Sequence, residues 1–352
     1  MATEPNRAHS DAGSARRPRE RVFILVIALA LAVGIPFLVE FGLWLDSLRF
    51  PINGARDGQH YTWGHPVVSN EAGFREREFE KKRPDAWRVL VLGDSITYGT
   101  GLPVEERFTN LVEERLRNWF PGRNIDVLNL GMPGINAERA AYLLKRSIDP
   151  LEPDLVVVGF CINDPQLGST RSSPERDRLL WLFEAFHSLR YVGMRRLATF
   201  LDSRIHRLLT RFGVLPDNGE IIQRAYDTDS REWATFVASL QYIRAIGDDR
   251  GLLQPIFAVL AGGAVLAAPV VGDPLDEGRE LKIRLYQQAE AAARGAGFVT
   301  VSYLEEIERE LSPEEMVLHE RDSHPSALLN RLYARKLAPL VAQALSARGL
   351  TR

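Results

Sequence analysis

The chain has very little cysteine: Cys161 is the only one in 352 residues. No intramolecular disulfide can form, and cysteine alone cannot assemble a thiolate zinc or iron–sulfur site. Net charge is equally scarce. Forty-four Lys and Arg oppose 46 Asp and Glu, a formal charge of -2, so there is no global basic field to draw in nucleic acid. No internal repeat is present, which excludes a solenoid. With 45% hydrophobic and 26% charged residues, the composition is that of an ordinary globular protein with a sizeable core.

The amino-terminal region departs from that composition. Residues 1–21 are polar and carry Arg7, Arg16, Arg17, Arg19 and Arg21, a segment expected to be a disordered tail. Residues 22–45 then form an almost wholly apolar run, interrupted by Glu40 and long enough to cross about 30 Å of hydrocarbon. Five arginines precede the run and only Arg49 and Arg56 follow closely. The positive-inside bias therefore places the tail in the cytoplasm and the rest of the chain outside, with Trp44 at the outer interface. A cleaved signal peptide, with a small-residue site at Ala28-Leu29-Ala30, is the alternative reading, and it leaves the remainder extracytoplasmic too. Residues 46–87 read as a linker and lead-in. A second apolar stretch, 252–272, holds Pro255, Gly262, Gly263 and Pro269 and fits a buried strand followed by a loop better than a membrane span.

From residue 88 onward, short apolar runs alternate with helical patterns, which predicts a parallel sheet covered on both faces. Strands are expected over 88–92, 125–130, 155–159, 255–260 and 298–302. Helices are expected over 104–119, 137–146, 281–294 and 327–346. The resulting domain, 88–352, is a doubly wound fold with five parallel strands. Residues 175–250 form a helical insertion between the third and fourth strands. Arg190, Arg195, Arg196, Arg204, Arg207 and Arg211 stand there among Leu182, Phe183, Phe186, Leu197, Phe200, Leu208 and Leu209. Two readings are open: a cover packed on the sheet with its arginines in solvent, or an interfacial lid lying on anionic lipid.

In doubly wound folds, ligands bind beyond the carboxyl ends of the strands. After the first strand comes Gly93-Asp94-Ser95, a serine at a strand-to-helix turn, with Asp94 expected to cap the helix. After the second comes Gly131-Met132-Pro133-Gly134, a glycine turn able to offer backbone N–H groups. After the third comes Cys161-Ile162-Asn163-Asp164, which brings an amide to the same edge. Before the last helix stands Asp322-Ser323-His324. Singly, each of these is common in loops. Together they supply the groups of acyl transfer: a nucleophile (Ser95), a base (His324), a carboxylate to orient it (Asp322), and oxyanion donors from Ser95, Gly131 and Asn163. A metal cluster of His319, Glu320, Asp322 and His324 is disfavoured, because the spacing gives no helical i, i+4 pair.

These blocks, in this order, resemble the SGNH or GDSL hydrolase superfamily over about residues 88–345. Asn70-Glu71-Ala72-Gly73-Phe74-Arg75 is similar to the Asn-x-x-Gly-Phe-Arg lead-in of its membrane-anchored bacterial members. The resemblance implies a three-layer α/β/α, flavodoxin-like fold and serine-dependent hydrolysis of esters, with no metal and no cofactor. The expected substrate is an ester of a carbohydrate, lipid or envelope polymer, and the expected location is the periplasmic face of the inner membrane, or outside the cell if the segment is cleaved. Alternatives are acyl transfer to a glycan by the same site and a non-catalytic binding module on the same scaffold. The chain departs from the family twice. Cys161 stands where the third block usually begins with glycine, and the acid, Asp322, lies two residues before the histidine instead of three, a position held by Arg321.

Overall fold

The computed structural model describes residues 18–167, 173–261, 275–319 and 322–351. It opens with helix α1 (Pro18–Ser47) and three short strands, β1 (Gly54–Arg56), β2 (Gln59–Thr62) and β3 (His65–Val67). Strand β4 (Ala86–Gly93) follows, then α2 (Ser95–Tyr98), α3 (Phe108–Trp119), β5 (Asn124–Asn129), α4 (Ala137–Leu151) and β6 (Leu155–Phe160). Further on come α5 (Leu180–His187), α6 (Arg195–Arg211), α7 (Arg231–Asp249), β7 (Ile256–Val259), α8 (Leu275–Gly295) and β8 (Val299–Ser302). The chain closes with β9 (Val317–His319), β10 (Asp322–Pro325) and α9 (Ala327–Ala347).

Five parallel strands pair in the order β5-β4-β6-β7-β8. The chain steps from β4 outward to β5 and then back across β4 to β6, so the strand order reverses on either side of β4. That reversal opens a crevice at the carboxyl end of β4. Strands β4 and β6 are buried on both faces along nearly their whole length, the pattern of a sheet covered on both sides. Helix α3 packs against α9, and α4 packs against α7, which also meets α8. Aromatic rings fill the layer beneath: Phe160 lies 4.9 Å from Phe257 and 5.6 Å from Phe236, ring centre to ring centre. The expected three-layer fold with five parallel strands is the one observed.

Contacts divide the chain into two units. One comprises Pro51–Asp177 and Gly213–Arg352 and holds the sheet; the other runs to Phe50 and takes in Arg178–Phe212. The insertion expected over 175–250 is thereby split. Its later part supplies α7, the crossover helix between β6 and β7, which covers the sheet. Helices α5 and α6 group instead with α1, so a single cover over the whole insertion is not what forms. The expected tail is also shorter, since residues 18–21 already belong to α1, and 1–17 lie outside the described residues. The lead-in expected as a linker carries the antiparallel sheet β1-β2-β3. Of the apolar stretch 252–272, the strand is present as β7; the expected loop falls largely on 262–274, outside the described residues.

Candidate active site

The crevice is built from glycines that bring backbones close together. Gly93 ends β4 beside Gly159 of β6, and Thr97 of α2 fills the space that a Cβ on either glycine would occupy, with Oγ1 2.2 and 2.3 Å from the two ideal positions. This packing sets α2 directly on the end of the sheet. Asp94 caps it as expected, its Oδ1 accepting from the Ile96 N–H at 2.9 Å. Ser95, the first residue of α2, is half-buried and its hydroxyl donates to Asp94 Oδ2 at 3.4 Å. The Asn70–Arg75 lead-in underpins this turn. Asn70 Oδ1 accepts from the Phe74 N–H at 3.0 Å, Phe74 is buried, and the Arg75 guanidinium donates to the carbonyls of Gly99 at 2.9 Å and Leu102 at 2.6 Å.

On the other side of the crevice, β10 carries both remaining members. Asp322 Oδ1 lies 2.5 Å from His324 Nδ1 and also accepts the His324 backbone N–H at 3.0 Å. The two-residue spacing is therefore sufficient, because the extended backbone folds the carboxylate back onto both nitrogens. Strand β10 packs against α2, which brings His324 toward the helix that begins with Ser95. Among the described residues no hydrogen bond joins Ser95 to His324, and Nε2 of His324 has no partner. Catalytic hydrogen bonds in unliganded sites are commonly longer than in the reacting complex.

Asp322 has a second partner that the sequence reading missed. Trp63 Nε1 donates to Asp322 Oδ2 at 2.5 Å, and the Trp63 ring lies 5.0 Å from that of His319. Trp63 sits in the β2–β3 turn at φ 47, a left-handed conformation uncommon for a bulky side chain and a pointer to function. Burial pushes Asp322 up, but the hydrogen bonds from His324 and Trp63 outweigh it and hold the carboxyl below its usual range. The carboxylate is thus kept ionised beside the imidazole. Of the disfavoured metal cluster, Glu320 lies outside the described residues and Asp322 is committed to His324 and Trp63.

The loop after β6 holds Asn163 half-buried, with an amide that has no hydrogen-bond partner among the described residues; Tyr226 braces this loop through its hydroxyl, which donates to the Ile162 carbonyl at 3.0 Å. The N–H of Ser95 is also unpartnered there. The Gly131 N–H donates to Asn129 Oδ1 at 2.8 Å. A Cβ at Gly131 would meet the Tyr98 nitrogen at 2.4 Å, and room for α2 is what this glycine supplies. Further along the same turn, Met132 donates to the Gly93 carbonyl at 3.0 Å, while exposed Gly134, at φ 75, has an N–H with no partner among the described residues.

A model of the GDSL-like lipase/acylhydrolase family matches residues 91–332. The chain belongs to this family. That span runs from β4 into α9 and contains Ser95, Asn163, Asp322 and His324. As a GDSL-like acylhydrolase, the protein is an SGNH-type esterase. Similar solved structures include TesA, at 17% identity over 72% of this chain and 97% of that one, with a TM-score of 0.41. An acetylxylan esterase, Axe2, from Geobacillus stearothermophilus is 15% identical over 73% of this chain and 93% of its own, TM-score 0.41. A member of the lipolytic protein G-D-S-L family from Veillonella parvula DSM 2008 is 13% identical over 72% and 97%, TM-score 0.40. No curated protein matches the chain.

Proposed function

We propose that the protein cleaves carboxylic esters through a Ser95–His324–Asp322 triad and an acyl-enzyme, held at a membrane by α1. The observation that carries this reading is the Asp322–His324 pair on β10, packed beside the helix that begins with Ser95. His324 Nε2 takes the Ser95 proton as Oγ attacks the acyl carbonyl, then returns it to the departing alcohol; water follows the same route to release the acid. Asp322 holds Nδ1 protonated and stabilises the charged imidazole. The N–H groups of Ser95 and Gly131 and the side-chain amide of Asn163 stabilise the oxyanion.

The substrate class is an acyl ester on a carbohydrate, lipid or envelope polymer, reached on the extracytoplasmic side. The arginines before α1 support that orientation, and α1 is long and apolar enough to cross a membrane. Hydrolysis of p-nitrophenyl acetate and its longer homologues by the full chain, beside Ser95→Ala, tests the chemistry. The expected loss of kcat is on the order of 10⁴-fold or more. Equal rates in the two proteins would remove Ser95 as nucleophile.

A further inference from the structure

Glu40 is the one acidic residue inside the apolar run, and its side chain is 13% exposed. An ionised carboxylate at bilayer depth needs partners, because hydrocarbon offers none. Here the start of α6 provides them. Glu40 Oε2 accepts from the Leu197 N–H at 2.7 Å, and Oε1 accepts from the Arg196 N–H at 3.2 Å and from its guanidinium at 3.4 Å. The carboxylate therefore caps α6 from another helix, where the free N–H groups and the positive end of the helix dipole favour an anion. Glu40 lies seven residues before the end of α1, about 10 Å along the axis, in the turns that also carry Trp44. Helix α6 thus starts at the depth of the headgroup boundary.

The rest of α5–α6 has a surface suited to that depth. His187 and Asp202 pair at 3.5 Å and hold the two helices together, with Phe183, Leu197 and Ala198 buried between them. The opposite face of α6 presents Phe200, Arg204, Arg207, Leu208 and Arg211 at positions i, i+4, i+7, i+8 and i+11, all exposed. Trp181 is 67% exposed and Phe212 72%. On α6 the large apolar side chains interleave with arginines and no acid stands on that face, which fits an acyl–headgroup boundary with anionic phosphates; on α5, exposed Glu184 lies one turn from Trp181.

We propose that α5–α6 is a membrane-surface element, clamped to α1 through Glu40, that lays Trp181, Phe200, Leu208 and Phe212 against a bilayer containing anionic phospholipid. The proposal rests on α1 crossing the bilayer. It is tested on the full chain reconstituted into vesicles of phosphatidylcholine with phosphatidylglycerol, and of phosphatidylcholine alone. The variants Trp181→Cys, Phe212→Cys, Leu31→Cys and Tyr142→Cys are each labelled with an environment-sensitive maleimide dye. Cys161 does not compete, because it is buried and its thiol is pushed well up by desolvation and the nearby acids.

The dyes at 181 and 212 should shift to the blue and be quenched by lipids spin-labelled near the headgroup, more strongly in the anionic vesicles. The dye at 142, on the exposed Tyr142 position of α4, should stay water-like. A dye at 31 deep in the bilayer, with 181 and 212 as water-like as 142, overturns the surface while leaving the anchor. Equal shifts and quenching in the two lipid mixtures overturn the role given to the arginines. A dye at 31 that stays in water removes the anchor and the surface together.

Discussion

Behind Ser95 the fold buries two carboxylates, Asp94 and Asp164, with the thiol of Cys161 between their loops. Asp164 Oδ2 accepts from the Cys161 N–H at 3.2 Å. Burial first, and then the charge of Asp94, push Asp164 well above the carboxylate range; burial also raises Asp94. A carboxyl whose folded pKa exceeds its unfolded one keeps its proton in the native state after the unfolded chain has lost it. Stability is therefore highest below the ordinary carboxylate pKa and falls as pH rises toward the folded value. Asp164→Asn preserves an oxygen for the Cys161 N–H and removes the titration. Thermal unfolding at pH 5 and pH 8 should show a smaller loss of Tm in the variant than in the wild type. An equal loss in both would mean that Asp164 is ionised in the folded protein.

The β1-β2-β3 sheet, at the scale of elements, matters through a single turn. Asp57-Gly58 and Trp63-Gly64 both have positive φ at each residue, 51 and 80, then 47 and 85, the two-residue geometry that closes tight hairpins. The second turn delivers Trp63 to Asp322, while Thr62 Oγ1 accepts from the Gly101 N–H at 2.7 Å and ties the sheet to the loop after α2. Trp63→Phe keeps the ring and deletes the donor. A hydrogen bond to a charged group contributes about 1.5–3 kcal/mol, so kcat should fall roughly 10- to 100-fold with KM unchanged. In an Asp322→Ala background the same change should have no further effect. A KM effect alone, or full additivity with Asp322→Ala, would reduce Trp63 to a wall of the crevice. The Asp57-Gly58 dipeptide was a legible hairpin signal, but strands of three or four mostly polar residues show no apolar alternation to support it, and the segment reads as linker. Strands β4 and β6 were legible because they are continuous apolar runs. The Ser95 and Asn163 positions follow from where those runs end, and His324 from its place just before the last helix. That a Cβ at Gly131 would meet the Tyr98 nitrogen was not legible, because spacing shows that a glycine turn exists but not what packs against it. Helical spacing in α5 and α6 likewise marked an apolar face in each without showing that these helices group with α1.

For the whole molecule, the decisive question is on which side of the membrane Ser95 works. The proposed orientation, with the arginines before α1 in the cytoplasm, puts the carboxyl-terminal portion outside. A fusion of alkaline phosphatase after Arg352 should then be active in cells, and a green fluorescent protein fused at the same point should be dark when exported through the general secretory route. The opposite pair of results would put the domain inside and exclude envelope esters as its substrates. The reporters read topology here because the domain's own folding is indifferent to the compartment. Its one cysteine is buried, no disulfide has to form, and the sheet unit is held by apolar packing and internal hydrogen bonds that neither redox environment changes. Activity toward p-nitrophenyl esters by the phosphatase fusion, lost on Ser95→Ala, would join the two readings in one protein: a folded serine esterase that reaches the outer side of the membrane.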